Sequence, residues 1–269
     1  MITETLPREI TEGRVLYGDD FTPAQIAAWF EDERRGYFDI AENVDYAYAY
    51  HALNRFHGFN FLKGRYERCL AIGCAKGEEI LPIADKVDEI VAIEPAEPWW
   101  SDRIGDTPAH YMAPSESGDI ALEDGSVDVV TCFGVLHHIP NVRHVIGEIA
   151  RVMKPGALFL LREPSSSMGD WRTPRPGMTR NERGIPRGWM LETARKLGLE
   201  VVRAAHCDFG PIAHVLAPLK VKPHDNMPVV VADAAVSALM GWNNRYWRRS
   251  VIEKIAPGSV FYVLRKPTA

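Results

Sequence analysis

The segment Arg68-Cys-Leu-Ala-Ile-Gly-Cys-Ala-Lys-Gly-Glu-Glu79 decides the fold of this chain. Its apolar run at 69–72 has the length of a buried parallel strand, and Gly73 and Gly77 bracket a turn that leads into a helical stretch. Glycine has no Cβ, so it lets the backbone pass close to a ligand. The segment therefore predicts a strand, a turn and a helix, with a ligand at the turn.

A second apolar run, Ile90-Val-Ala-Ile93, ends in Glu94, which lies seventeen residues after Gly77. A carboxylate at the carboxyl end of a parallel strand can accept hydrogen bonds from both hydroxyls of a ribose. The turn lacks the GxGxxG pattern that cradles the pyrophosphate of a dinucleotide. The two segments together favour a nucleoside ligand without phosphates and disfavour a nicotinamide oxidoreductase.

With these residues the chain resembles the class I S-adenosylmethionine-dependent methyltransferases. The resemblance continues through residues 115–140, which are similar to the third and fourth motifs of that family, and 148–156, which are similar to the fifth. It covers about residues 65–165. It implies S-adenosylmethionine as the cofactor and an α/β fold: a doubly wound, Rossmann-like, mostly parallel seven-stranded sheet whose last strand is antiparallel.

The resemblance also implies which residues bind the cofactor. They follow the carboxyl ends of four strands: Gly73, Cys74, Ala75, Gly77, Glu94, Pro95, Glu116, Ser117, Cys132 and Phe133. Those of the first turn should approach the methionine and ribose, and the acid of the second strand should bind the ribose. The pair 116–117 should read the adenine, although Ser-Glu-Ser replaces the commoner Gly-Asp-Ala. The pair 132–133 should line the site of methyl transfer.

Two histidines, His137 and His138, follow the fourth strand. If the acceptor is an alcohol, either histidine could remove its proton as attack proceeds. The alternative is that Leu-His-His is only the common opening of a helix in this family. Methyl transfer from a sulfonium can gain about 7–11 kcal/mol from positioning alone, so we expect no metal.

Two segments are basic although the whole chain has a net charge of −5. Residues 162–187 hold six arginines against three acids, and 242–254 hold three arginines and a lysine against one glutamate. Arginine forks match carboxylate and phosphate, which predicts an anionic acceptor, such as a sugar or glycan. The predicted substrate-binding residues are Arg162, Arg172, Arg180 and Arg183. The alternative is that these arginines are solvated or paired with Glu163, Asp170 and Glu182.

The string at 167–175 is also similar to methyltransferases of cell-surface polysaccharide assembly. The acceptor remains open between hydroxyl methylation of a small molecule or carbohydrate and N- or C-methylation of a secondary metabolite. A non-catalytic protein that binds S-adenosylmethionine is the alternative from another class.

We predict one domain over 1–269, with a helical cap (1–64), a cofactor-binding core (65–165) and two insertions (163–185 and 207–256). In the cap, Thr22-Pro23 begins a helix that runs to about Glu33, and a second helix is expected over 41–56. Further helices are expected near 77–86, 98–103, 141–153, 186–197 and 232–253. In this family such leading helices often fold over the cofactor.

Composition excludes several classes of protein. A net charge of −5 argues against a nucleic-acid binder, and no apolar stretch reaches the roughly 18 residues that a membrane span needs. The amino terminus lacks the apolar core of a secretory signal, so we expect a cytoplasmic protein. The four cysteines lack the spacing of a structural zinc site. The oligomeric state stays open.

Overall fold

The computed structural model describes residues 5–43, 49–175 and 178–268, and only the backbone of residues 37–43. One sheet of eight strands organises these residues, in the order β3-β4-β2-β1-β5-β6-β8-β7. The strands are β1 (Tyr66–Ile72), β2 (Val87–Ile93), β3 (Arg103–Ile104), β4 (Thr107–Met112), β5 (Val127–Phe133), β6 (Met153–Pro164), β7 (Glu200–Phe209) and β8 (Pro257–Arg265).

The central five strands, from β4 to β6, are parallel, whereas β8 runs antiparallel to both of its neighbours. This is the predicted doubly wound sheet with an antiparallel last strand. The eighth strand was not predicted. It is the two-residue strand β3, which pairs antiparallel with β4 across a turn that contains Gly105 at a φ of +58°. A strand of two residues has too few positions to produce an alternating pattern.

The helices of the described residues lie on both faces of the sheet. They are α1 (Arg8–Thr11), α2 (Pro23–Asn43), α3 (His51–His57), α4 (Leu81–Ala84), α5 (Val142–Val152), α6 (Arg187–Lys196), α7 (Gly210–Leu216), α8 (Met227–Met240) and α9 (Val251–Lys254). One core cluster contains buried residues of α5 and α6, and the other contains residues of α3 and α8, with strand residues contributing to both.

Several predicted helix bounds were wrong. Helix α2 continues ten residues beyond Glu33, and the predicted helix at 98–103 is only a 3-10 turn at Glu97–Trp99. The helix predicted over 232–253 begins earlier, because the side chain of Asn226 caps it by accepting from the Val229 N–H. That helix ends at Met240, and α9 is a separate helix capped by Ser250.

The second cap helix was expected over 41–56, but in the described residues it is α3, which begins at His51. Tyr46 and Tyr48, which the sequence places on this helix, lie outside the described residues. The stretch after β6 has no helix or strand from Ser165 to Arg175 or from 178 to Pro186, as the absence of a periodic pattern predicted. Among the described helices, none combines the length and the apolarity that crossing a membrane requires.

Candidate active site

A cavity of about 830 Å³ opens at the carboxyl ends of the central strands. Ligands of doubly wound sheets bind at this edge, because the loops that follow the strands diverge there. Residues after β1, β2, β4, β5 and β6 line the cavity, together with residues of α2, α3 and the stretch after β6. The cavity therefore joins the glycine turn and the histidine pair that the sequence singled out.

The glycine turn brings the backbone to the cavity wall. The Gly73 N–H donates to the Ile93 carbonyl oxygen at 2.8 Å, so the end of β1 is tied to the end of β2. Gly73 has a φ of +60°, and a Cβ there would lie 2.4 Å from Val135 Cγ2. Gly73, Cys74 and Ala75 line the cavity. The position of Gly73 thus requires a residue without a side chain.

Gly77 does not line the cavity. Its N–H donates to the Cys74 carbonyl oxygen at 2.7 Å, and its φ is +83°. A Cβ at this position would lie 2.6 Å from Ile104 Cγ2. Gly77 therefore closes the turn and lets β3 approach it, and the prediction that it contacts the cofactor does not agree with this position.

Glu94 is 2% exposed and lies at the end of β2. Its carboxylate accepts the Ala75 N–H at 2.8 Å and the Ala96 N–H at 3.0 Å. Burial raises the pKa of Glu94 above 4.5, although these two backbone bonds oppose the shift. Both Glu94 and Pro95 line the cavity, so the predicted ribose-binding acid is held in place by the glycine turn itself.

The thiol of Cys74 is not activated. Burial is the main cause that raises its pKa to about 12, and the nearby Glu94 carboxylate raises it further. A thiol with such a pKa stays protonated at neutral pH, and the thiolate is the nucleophilic form. Cys74 therefore contributes backbone and bulk to the turn.

The residues predicted after β4 and β5 divide between wall and core. Glu116 lines the cavity, but Ser117 does not, because its hydroxyl donates to Asp119 at 2.6 Å on the exposed side of the loop. Phe133 lines the cavity, whereas the side chain of Cys132 is fully buried in the core. Alternation along β5 puts these two neighbours on opposite faces of the sheet. Ser117 and Cys132 thus lie off the cavity wall.

We call Gly73–Ala75, Glu94 and Glu116 the glycine-turn side.

His137 is fixed by a buried carboxylate. Glu163, at the end of β6, is 1% exposed; its Oε2 lies 2.8 Å from His137 Nδ1. Its Oε1 accepts the N–H groups of Val135 and Leu136 at 3.0 and 2.8 Å. Burial, with the neighbouring His138, lowers the pKa of His137 despite this carboxylate. One side chain therefore sets both the turn after β5 and the orientation of the ring.

His138 is held in the same way by a different part of the chain. Its Nδ1 lies 2.8 Å from Glu33 Oε2 on α2 and 3.2 Å from the Thr179 hydroxyl. The centroids of the two histidine rings are 4.0 Å apart. Glu182 completes this wall, and its Oε1 accepts the Thr179 N–H at 2.6 Å. We call Glu33, His137, His138, Thr179 and Glu182 the histidine side.

Sequence reasoning did not assign Glu33, Thr179, Glu182 or the positioning role of Glu163. No local pattern distinguishes them, because Glu33 lies over 100 residues before the histidines and reaches them only through the packing of α2.

The four predicted substrate-binding arginines do not form an anion site. The guanidinium of Arg162 donates to Asn54 and Glu79, and Arg172 pairs with Asp170 at 2.7 Å. Arg183 is fully buried and donates to the carbonyl oxygens of four residues: Tyr17, His137, Ile139 and Pro140. Arg180 is 75% exposed beside Asp32. Of the four, Arg162 lines the cavity.

The charge of the wall is the opposite of the one expected. Among the described residues, eight carboxylic acids and three cations line the cavity. The acids are Glu33, Glu78, Glu79, Glu94, Glu116, Asp119, Glu182 and Asp208, and the cations are Arg34, Lys76 and Arg162. The four predicted arginines thus make structural contacts or face solvent, and acids outnumber cations among the described residues of the cavity wall.

Comparison with known proteins agrees with the fold and the glycine turn. The profile of a family described as a methyltransferase domain matches residues 39–211. The chain belongs to this family, the S-adenosylmethionine-dependent methyltransferases of class I, whose cofactor is S-adenosylmethionine.

The curated relatives match only part of the chain. The chain is 28% identical over 169 residues to the 27-O-demethylrifamycin SV methyltransferase of Amycolatopsis mediterranei, covering 60% of each chain. It is 35% identical over 103 residues to the sterol 4-C-methyltransferase strm-1 of Caenorhabditis elegans, covering 35% of this chain and 30% of that one. The chain thus spans three fifths or less of the length of these relatives.

Solved structures share the fold at low identity. The YcgJ protein of Bacillus subtilis superposes with a TM-score of 0.54 at 15% identity, covering 81% of this chain and 99% of that one. The cyclase SpnF superposes with a TM-score of 0.52 at 19% identity, covering 77% and 78%. Because a cyclase shares this architecture, the fold does not define the reaction, which depends on the site.

Proposed function

We propose that this protein transfers a methyl group from S-adenosylmethionine to a hydroxyl oxygen of a small molecule. One observation carries the proposal: the glycine-turn side and the carboxylate-held histidine pair face the same cavity of about 830 Å³. The first matches the cofactor of the family, and the second provides polar groups at a second position. A volume of this size is within the range of small-molecule sites.

On the glycine-turn side, the chain's own residues would hold the cofactor by backbone approach and by one carboxylate. Gly73 lets the backbone come near the ligand, and Glu94 presents a buried carboxylate that its two backbone bonds keep in one orientation. Glu116, which lines the cavity from the loop after β4, would bind the base. Bound S-adenosylmethionine supplies an electrophilic methyl carbon on a sulfonium.

On the histidine side, the acceptor would be positioned rather than chemically altered before transfer. Holding two reactants in attack geometry can supply about 7–11 kcal/mol of the barrier, and this requires rigid contacts. His137 and His138 have that rigidity, since each Nδ1 is engaged by a buried carboxylate. That either histidine is a general base stays a prediction.

The acid-rich wall favours a neutral or cationic acceptor over an anionic one. Eight carboxylic acids among the described lining residues would repel a carboxylate or phosphate. The proposed acceptor is therefore a hydroxyl compound without a carboxylate or phosphate, not an anionic glycan. The relative named for 27-O-demethylrifamycin SV supports an oxygen acceptor, and the one named as a sterol 4-C-methyltransferase makes carbon the competing atom.

A methyl-uptake screen tests the proposal. Purified protein is incubated with methyl-labelled S-adenosylmethionine and a panel of phenols, polyols, macrolactones, sterols and amines, and labelled products are separated by chromatography. We expect label on a hydroxyl oxygen. Label only on nitrogen or carbon would overturn the choice of atom, and no transfer to any acceptor despite tight cofactor binding would favour a non-catalytic binding protein.

A variant at the histidine side separates positioning of the acceptor from binding of the cofactor. His138→Gln should slow methyl transfer by about 100-fold, the cost of misplacing a reacting group by about 1 Å, while leaving the affinity for S-adenosylhomocysteine unchanged. His110→Gln is the matched control, because His110 is an exposed histidine beside Glu89 and lies outside the cavity. Unchanged transfer by His138→Gln would remove the histidine side from the reaction.

A further inference from the structure

We propose that His137, His138 and Glu182 bind a divalent transition-metal ion of the Zn²⁺ type at the cavity wall. One ligand atom from each of these residues lies within 4.8 Å of the other two. Two imidazoles and one carboxylate form the ligand set of several catalytic zinc sites, which keep a fourth position for water or substrate.

The surroundings of both histidines match those of metal ligands. A metal-binding histidine almost always donates its second ring N–H to a carboxylate, a backbone carbonyl or a water molecule, which fixes the ring and its tautomer. Here Nδ1 of His137 lies 2.8 Å from Glu163, and Nδ1 of His138 lies 2.8 Å from Glu33. The nitrogen that would bind the ion is therefore Nε2 in each ring. Two adjacent histidines with separate buried carboxylates form a more specific pattern than a cluster of acids.

Glu182 presents a carboxylate to the same point. Its Oε1 accepts both the N–H and the hydroxyl of Thr179, at 2.6 and 2.9 Å, and these bonds orient the group. The Thr179 hydroxyl also lies 2.6 Å from Glu33, the carboxylate beside His138 Nδ1. Glu33 and the proposed ligand Glu182 therefore share this one hydroxyl. His138 and Glu182 are thus connected through Thr179, whereas His137 is held separately by Glu163.

Distances and charge are compatible with a bound cation. Ligands at about 2.0–2.2 Å from Zn²⁺ lie about 3.3–3.6 Å apart in a tetrahedron, so the three ligand atoms, which lie within 4.8 Å of one another, would have to come closer around a bound ion. The wall of the cavity carries eight carboxylic acids among its described residues. Such a wall concentrates cations.

The ion would activate the acceptor, a role that rests on the proposed function. An acceptor hydroxyl that occupies the fourth position becomes more acidic, because the ion stabilises the negative oxygen. The proton leaves to solvent, the oxygen forms the new bond to the methyl carbon, and the bond from carbon to sulfur breaks with its electron pair remaining on sulfur. The products are the methyl ether, S-adenosylhomocysteine and one proton.

Metal binding can be tested without cofactor or acceptor. Chelator-treated protein is titrated with Co²⁺, whose visible absorption reports its coordination, and then with Zn²⁺ in competition. We expect about one equivalent of Co²⁺ with a visible band that Zn²⁺ removes. Affinity should fall by about 100-fold in Glu182→Gln and in His138→Gln, and remain unchanged in His110→Gln. The absence of saturable binding, or equal binding by all three variants, would overturn the proposal.

Calorimetry with S-adenosylhomocysteine on the same preparations separates this proposal from the function. Normal nucleoside binding without metal binding overturns the metal site and leaves methyl transfer standing. Metal binding without nucleoside binding overturns methyl transfer and leaves the metal site standing. Glu33→Gln provides a further check, because loss of an outer carboxylate typically weakens metal affinity by about 10–100-fold. A Glu33→Gln variant that binds Co²⁺ as the unmodified protein does would contradict the assigned ring orientation.

Discussion

The glycine-turn side and the histidine side of the cavity differ in how the chain builds them. Apart from Glu116, the first comes from about twenty residues, in which Glu94 accepts a bond from Ala75 and Gly73 donates to Ile93. The second joins positions 33, 137, 138, 179 and 182, brought together by α2, the end of β5 and the stretch after β6. Local geometry therefore fixes one side, and tertiary packing fixes the other. Mutations should therefore affect the two sides of the cavity separately.

The largest expected effect is the loss of the buried carboxylate at the end of β6. Glu163→Ala leaves the N–H groups of Val135 and Leu136 and the ring of His137 without their acceptor. Each buried unsatisfied group costs about 1–3 kcal/mol, so the free energy of unfolding measured in urea should fall by about 3 kcal/mol. Glu67→Ala is the control, because Glu67 is 80% exposed beside Lys154 and should change stability by less than about 0.5 kcal/mol. Similar losses in both variants would mean that Glu163 does not organise the turn.

The next effect concerns the glycine turn. In Gly73→Ala the added Cβ meets Val135 Cγ2 at 2.4 Å in a backbone of φ +60°, so the turn must move. The dissociation constant for S-adenosylhomocysteine should rise about 100-fold, or about 2.7 kcal/mol, by calorimetry. Gly64→Ala adds its Cβ into open space and should bind as the unmodified protein does. Normal binding by Gly73→Ala would show that the backbone need not approach the ligand there.

A third prediction concerns α3, which carries Leu53 on the cavity wall. His57, one turn later, is fully buried, and burial with the nearby Arg203 lowers its pKa to about 4 from 6.5. The unfolded chain therefore binds a proton between pH 6.5 and 4 that the folded chain does not, so stability should fall as the pH falls through this window. Each pKa unit is worth about 1.4 kcal/mol, which limits this loss to about 3 kcal/mol.

Urea denaturation at several pH values measures that slope. His57→Gln should flatten it, and His214→Gln, at an exposed position of α7, should not. A slope that is identical in all three proteins would mean that His57 is not the group responsible.

The smallest effect is the pH dependence of cofactor affinity. Burial raises the pKa of Glu94 above 4.5, so its carboxylate becomes protonated at a higher pH than an ordinary glutamate does. Affinity for S-adenosylhomocysteine should weaken as the pH falls through that raised pKa, by about tenfold, because the neutral acid is a poorer acceptor for ribose hydroxyls. Glu94→Gln should start about tenfold weaker and show no such change. A pH-dependent loss that persists in Glu94→Gln would assign the effect to another group.

The same contrast explains what the sequence could predict. The run at 69–72, the glycine turn and Glu94 are close in the chain, and the physical role of each residue type is local, so a nucleoside site followed from them. The fold and the cofactor followed from the family resemblance, which also rests on the motifs at 115–140 and 148–156. The roles of Glu163 and Glu33 depend on which strands and helices meet. The prediction that arginines bind an anionic acceptor failed for a related reason. Charge can be counted in a sequence, but Arg183 donates to four carbonyl oxygens that only the folded chain brings within reach.

The most direct test of the account is calorimetry of the unmodified protein with S-adenosylhomocysteine, with NAD as the competing ligand. We expect one nucleoside site per chain with a dissociation constant on the order of micromolar, about −8 kcal/mol, and no heat from NAD. Binding of NAD in the absence of S-adenosylhomocysteine binding would contradict the assignment of the glycine turn and Glu94 to the methyl donor.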